Sequence, residues 1–281
     1  MEGRFISKEI IRKFQRHLAE EEKSDATVEK YLRDVAAFAS YANGAAITKE
    51  TVIAYKQHLL EENYAVRSIN SMLASVNSLL GFLGWADLKV RSLKVQQQTF
   101  CPEEKELTRE EYKRLCRTAK NRHNERLCLI LQTICSTGIR VSELPFITVE
   151  AVKSGKAIVS LKGKIRVVFL VKDLRKKLLR YIAGQKIASG CVFVTRTGKP
   201  VSRFHIWREM KGLCEGANVD PEKVFPHNLR HLFARIFYSL EKDIVRLADV
   251  LGHSSINTTR IYIVSTGSEH RHCMEKMCLL M

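Results

Sequence analysis

The chain has 281 residues, 45% of them apolar and 8% aromatic; its five prolines and 14 glycines exclude a collagenous or low-complexity protein. No apolar run approaches the ~18 residues of a membrane span, and the length suffices for two domains that each bury a core. Lys and Arg number 47 against 30 Asp and Glu, a charge of +17, and residues 1–100 hold only 14 of those cations against 12 acids, so the excess lies in the remainder, where it points to a polyanionic partner, nucleic acid ahead of a membrane.

Residues 1–85 read as four helices. Ser7 is placed to cap the first, which turns Ile10, Ile11, Phe14 and Leu18 to one side. The second runs from about Thr27, with Val28, Tyr31, Leu32, Val35 and Phe38 inward, and stops at Asn43-Gly44. Thr48 caps the third, flanked by Ile47 and Val52 at hydrophobic-staple spacing. The fourth carries the clearest stripe: Ile69, Met72, Leu73, Val76, Leu79, Leu80 and Leu83.

Periodicity fades over 86–106, which read as a linker. Thr108 and Glu111 form a capping box that opens a second unit, 107–281. A helix near 124–136 ends at Gly138. Ala157–Leu161 and Arg166–Leu170 flank a short polar turn and predict a hairpin, to which Cys191–Thr195 would add a strand. Helix 171–182 sets Lys172, Arg175, Lys176, Lys177 and Arg180 around an apolar stripe, a face that is either solvated or in contact with phosphate. The pattern is helical from there on, including a tail helix at about 265–281 with Met274, Met277, Cys278 and Leu280 along one edge.

The eight cysteines form no CxxC pair, and the opening MEGRFISKEI lacks the apolar core of a signal peptide. Reduced thiols and a cytoplasmic protein are expected. His270, His272, Cys273 and Cys278 match no standard zinc spacing, so no metal site is expected.

Four segments of the second unit concentrate chemistry: Thr137-Gly-Ile-Arg140-Val-Ser-Glu143-Leu, Leu161-Lys162-Gly-Lys164-Ile-Arg166, Pro226-His227-Asn-Leu-Arg230-His231, and Leu251-Gly-His253-Ser-Ser-Ile-Asn-Thr-Thr-Arg-Ile-Tyr262. On a helix His227, Arg230 and His231 share a face, an arrangement suited to a phosphate, because guanidinium grips two oxygens and imidazole moves a proton. Leu251-Gly252 reads as a helix end that holds His253 in a tight turn. Ser255 would cap the next helix, with Tyr262 in its second turn. Arg140 can pair with Glu143.

In this order the four segments resemble the boxes of the tyrosine recombinase (phage integrase) family, of a small Xer-like or mobile-element kind. The resemblance implies a mainly α fold with a small β-sheet: an N-terminal four-helix core-binding (SAM-like), DNA-binding domain over 1–85 and a catalytic domain over 107–281. It implies that Tyr262 attacks the scissile phosphate and forms a 3′-phosphotyrosyl bond. Arg140 and Arg230 would clamp the non-bridging oxygens, His227 would move the nucleophile's proton, His253 would hydrogen-bond the phosphate, and Glu143 and His231 would support them. A hairpin lysine, Lys162 or alternatively Lys164, would protonate the leaving 5′ oxygen. No cofactor or metal is implied. The partners would be double-stranded DNA and copies of the chain, a dimer on each site and a tetramer in synapsis, with the tail helix packed on a neighbour.

A tyrosine titrates near ~10 and needs a base and neighbouring cations to act at neutral pH, which this set of residues supplies. Two departures from the family stand out. The hairpin usually reads Lys-Gly-x-Lys-x-Arg and here is one residue shorter. The segment Leu232-Phe-Ala-Arg235 replaces a pattern with Thr at its first and last places, which reads as packing variation. A type IB topoisomerase and a non-catalytic DNA-binding protein are the rival readings. The apolar tail and the core-binding domain argue against the first, and a retained Tyr262 against the second.

Overall fold

The computed structural model describes residues 3–95, 105–161, 163–262 and 275–277. The chain divides into two compact units, Met1–Gln97 and Gln98–Met281.

The first unit holds α1 (Lys8–Glu20), α2 (Asp25–Ala42), α3 (Lys49–Glu61) and α4 (Val66–Phe82). The Ser7 hydroxyl accepts from the Ile10 amide at 3.2 Å, and Thr48 exchanges cap bonds with Thr51. α2 begins two residues ahead of the expected Thr27, behind Ser24, whose hydroxyl meets that of Thr27 at 2.9 Å. α4 forms the spine: Ile69, Leu73, Val76, Leu79 and Leu80 are fully buried, with Phe14, Leu18, Val35 and Phe38 packed around them.

Residues 86–95, expected to open a linker, fold back onto this unit. A 3₁₀ turn spans Ala86–Leu88, and Leu88 and Val90 are buried. Two asparagines of α4 hold the strand-like stretch that follows. Asn77 accepts from the Val90 amide at 3.0 Å and donates to its carbonyl at 2.8 Å, and Asn70 grips Leu93 in the same way at 2.7 and 2.9 Å. A carboxamide carries one donor side and one acceptor side, so it can stand in for a missing strand.

The second unit contains α5 (Arg109–Asn121), α6 (Glu125–Thr137), α7 (Val149–Ser154), β1 (Lys156–Leu161), β2 (Lys164–Phe169), α8 (Lys172–Gly184), α9 (Arg203–Gly212), α10 (Cys214–Ala217), α11 (Pro226–Glu241), α12 (Ile244–Leu251) and α13 (Ile256–Arg260). The Thr108–Glu111 capping box forms with bonds of 3.1 and 2.7 Å. α6 is the central helix, with Leu127, Leu129, Ile130, Leu131 and Ile134 all buried, the all-round apolar pattern of a core helix.

β1 and β2 pair antiparallel with Ile158 opposite Val167 and Val159 opposite Arg166. Ala157, Val159 and Val168 face the core, whereas Ile158, Val167 and Phe169 are exposed. The third strand expected at Cys191–Thr195 does not form. Cys191 and Val194 make only isolated bridges, to Thr148 and to Pro200, and a proline offers no N–H to extend a ladder. The expected tail helix at about 265–281 lies outside the described residues except for 275–277. Among the described residues no helix is long and apolar enough to cross a membrane.

Candidate active site

Three helix boundaries converge. α11 opens with Pro226 at its first position, where a missing N–H costs nothing, so His227, Arg230 and His231 fall in its first turns on one side. α6 stops at Gly138, two residues before Arg140. α12 stops at Gly252, one residue before His253. Both glycines adopt left-handed backbone, φ +65 and +66. At Gly138 a Cβ would come within 2.5 Å of the Phe233 ring, and at Gly252 within 2.4 Å of the Arg166 side chain.

Arg230 is fully buried. One terminal nitrogen donates to the Gly138 carbonyl; the other donates to the Leu251 carbonyl at 2.8 Å and meets His253 Nε2 at 2.9 Å. The guanidinium thus sits against the C-terminal ends of α6 and α12, where unpaired carbonyls and the helix dipoles favour a cation. Its Nε is buried without a partner. Burial, with Arg140 next in weight, lowers its pKa to about 10, which leaves it charged at neutral pH.

Arginine only donates, so His253 Nε2 accepts from it. The ring hydrogen of His253 therefore sits on Nδ1, which is 2.9 Å from Thr259 Oγ1. Burial and then Arg230, Arg140 and Arg166 push His253 down to about 4, consistent with that neutral tautomer.

The Tyr262 hydroxyl lies 3.1 Å from His227 Nε2. Its ring centroid is 4.3 Å from that of His231 and 5.3 Å from that of His253, and it covers the Arg230 guanidinium at 5.9 Å. Only 5% of Tyr262 is exposed. Burial, then Arg230, Arg140 and Arg203, lower the His227 pKa, so a neutral imidazole faces the phenol. Burial, followed by His227, Arg235 and Arg230, pushes His231 down to about 4. Tyr262 lies two residues beyond α13 rather than in its second turn, because the helix closes at Arg260.

Glu143 is 2% exposed and accepts from the Arg140 amide at 2.8 Å, from the Arg140 guanidinium at 3.0 Å and from Arg166 at 2.6 Å. Burial raises its pKa, but the Arg140 amide and the two guanidinium groups outweigh burial and hold it below the usual carboxylate range. Arg166 also donates to the Val250 carbonyl at 2.5 Å, so β2 is tied both to the Arg140 segment and to the end of α12.

The sequence reading did not assign Arg166 or Thr259. For Arg166 a signal existed, since alternation along β2 places it on the same face as buried Val168. Thr259 carries no such signal. Arg235, read as packing variation, instead ion-pairs with Glu106 and donates to the Leu107 carbonyl at 2.6 Å. On the same helix Asn228 donates to the Lys105 carbonyl at 3.1 Å and to that of Lys223 at 2.8 Å. The segment 105–107 is therefore fastened to the helix that bears His227 and Arg230. The structure brings together Arg140, Glu143, His227, Arg230, His231, His253 and Tyr262. Lys162 and the side chain of Lys164 lie outside the described residues. Among the described residues no cluster of His, Cys, Asp and Glu could hold a metal ion.

Known proteins resemble this chain along most of its length. The Tyrosine recombinase XerA of Pyrococcus furiosus is 27% identical over 288 residues, covering 100% of this chain and 98% of the relative. A crystal structure of XerA recombinase superimposes with a TM-score of 0.55 at 25% identity, covering 97% of this chain and 99% of that one. A lambda integrase, crystallised as a tetramer bound to a Holliday junction, shares the fold with a TM-score of 0.73 at 17% identity, over 90% of this chain and 76% of that one. The signature of the phage integrase N-terminal SAM-like domain matches residues 11–87, and that of the phage integrase family matches residues 105–269. With one signature on each unit, this chain belongs to the phage integrase family, the tyrosine recombinases.

Proposed function

We propose that this protein is a cytoplasmic site-specific DNA recombinase that cleaves and rejoins strands through Tyr262, and the observation that carries the assignment is the Tyr262 hydroxyl 3.1 Å from a neutral His227 beside the buried Arg230 cation. The phenol oxygen attacks the scissile phosphorus as His227 takes its proton. The bond to the 5′ oxygen breaks, a 3′-phosphotyrosyl linkage remains, and a lysine of the hairpin, Lys162 or Lys164, protonates the departing oxygen. Arg140 and Arg230 balance the charge that grows on the non-bridging oxygens, where cations already fixed in place need no reorganisation. The linkage conserves the phosphodiester bond energy, so the freed 5′ hydroxyl of a second strand can reverse the step.

As folded, the site is closed: Tyr262 covers Arg230, whose terminal nitrogens are spent on carbonyls and His253. Engagement of DNA shifts the phenol off the guanidinium and opens the unpartnered Nε of Arg230 to phosphate. His253 then donates from Nε2 after its hydrogen moves from Nδ1, a change the Thr259 hydroxyl accommodates because it can donate as well as accept. Residues 1–85 bind DNA alongside the catalytic domain of 107–281, and the +17 charge supports the polyanionic partner. The lambda integrase tetramer supports assembly of four copies on two sites, dimer by dimer.

The test is covalent trapping. Nicked suicide duplexes that tile the genomic DNA around its own gene are incubated with wild type and with Tyr262→Phe, and run on a denaturing gel. Wild type is expected to yield a protein–DNA adduct, and the variant, with DNA binding intact, none. An adduct that persists in Tyr262→Phe moves the nucleophile elsewhere, and binding without any adduct in wild type favours a non-catalytic DNA-binding protein.

A further inference from the structure

One group of nucleophiles has no part in strand cleavage. Where α5 packs on α6, Tyr112 and Cys116 of α5, one turn apart, face Cys128 and Cys135 of α6, two turns apart. Cys128 is 8% exposed, and its thiol donates to the Cys116 carbonyl oxygen at 3.5 Å, while Cys116 is more accessible. The Gln132 amide donates to the Cys128 sulfur at 3.0 Å. The orientation of that amide is not free: its oxygen accepts from Lys177 Nζ at 2.7 Å, and an ammonium group only donates, so the NH₂ end must face the sulfur.

The Cys128 sulfur therefore accepts from Gln132 while its own hydrogen lies toward the Cys116 carbonyl, and once that proton passes to solvent the thiolate is already met by a donor. Cys128 is the one described cysteine whose pKa falls; the Cys116 thiol, which hydrogen-bonds to it, is the largest cause, followed against the cost of burial by Gln132, Lys177 and Lys120. The same contact raises Cys116, and burial raises Cys135 to about 12 and pushes Cys191 and Cys214 up.

We infer that Cys128 and Cys116 form a thiol modification site for hydroperoxide oxidants, at which Cys128 is oxidised first and Cys116 closes an intramolecular disulfide between α5 and α6. The Cys128 thiolate attacks one peroxide oxygen, the O–O bond breaks, and the departing hydroxide or alkoxide takes a proton from solvent. Cys128 is then a sulfenic acid. The Cys116 sulfur, its proton lost to solvent, attacks the Cys128 sulfur; the S–O bond breaks and water leaves. In total two thiols and one hydrogen peroxide yield a disulfide and two waters, the two electrons passing from sulfur to oxygen. The inference does not depend on the recombinase reading, because no residue of the cleavage site takes part.

The experiment treats the full-length protein with hydrogen peroxide at pH 7.5, quenches in acid, alkylates the remaining thiols and maps peptides by mass spectrometry. A cross-link joining the peptides of Cys116 and Cys128 is expected, formed while Cys191 and Cys214 remain alkylatable. Cys116→Ser is expected to stall the reaction at a Cys128 sulfenic acid that dimedone captures. Lys177→Met, a surface change that releases the Gln132 amide, is expected to slow Cys128 oxidation by about tenfold. A disulfide made through Cys135, dimedone captured at Cys116 in Cys128→Ser, or a Cys128 that oxidises no faster than Cys214 each overturns the inference. If Cys116→Ser is unfolded by circular dichroism, the wild-type cross-link and the Lys177→Met rate still decide it.

Discussion

His253 shows how a single hydroxyl can set the chemistry of a site. Its two ring nitrogens are distinct because Arg230 can only donate to one of them, and Thr259 then receives the hydrogen carried by the other. The Thr259→Val substitution keeps the shape and removes that partner. Cleavage by Thr259→Val is expected to slow roughly five- to tenfold, the worth of about one hydrogen bond, with DNA affinity unchanged and Thr259→Ser close to wild type. Equal rates for Thr259→Val and wild type in single-turnover cleavage would remove Thr259 from the positioning of His253. The Arg140–Glu143 pair was legible from three-residue spacing alone. The third donor to Glu143 was not, because Arg166 lies 23 positions away and reaches it only across the hairpin.

Helix ends place the chemistry, and their stop signals are local. Asn43-Gly44, Gly138 and Gly252 mark three terminations that a reader of the sequence could locate, since left-handed backbone favours glycine and asparagine. What the glycine at 138 also does is leave room for Phe233 and Leu251. Gly138→Ala is therefore expected to cost at least about 1–3 kcal/mol, from strained backbone and from the ring contact together. Urea midpoints for the two proteins check it, and an unchanged midpoint would mean that Phe233 yields freely. Less legible were the segments held by side chains rather than by their own pattern. Asn70 and Asn77 look like surface residues of α4 until the 86–95 stretch lies against them, and the pattern at Cys191–Thr195 resembles a strand although it makes only isolated bridges, to Thr148 and Pro200.

Taken together, the chain carries a charge of +17, and half-buried His231 and His253 lie close to buried Arg230. His231 and His253 titrate at about 4 when folded, against about 6.5 when unfolded. As pH falls the unfolded chain takes up these protons first, so stability is complete above about 6.5 and declines between 6.5 and 4, by up to about 1.4 kcal/mol per pH unit for each of the two. Urea unfolding at pH 7 and pH 5 measures the difference, and His231→Gln is expected to flatten the decline; equal midpoints at both pH values would contradict it. The family boxes, the helix stops, the four-helix stripe and the basic balance of the second unit were all written in single segments of the sequence, because each depends on residues a few positions apart. Folding alone brought Arg166 to Glu143 and Val250, Asn228 and Arg235 to the 105–107 segment, and Tyr262 over Arg230. Those contacts join residues between 23 and 129 positions apart, and no spacing rule reaches across that distance because packing of the helices creates the proximity.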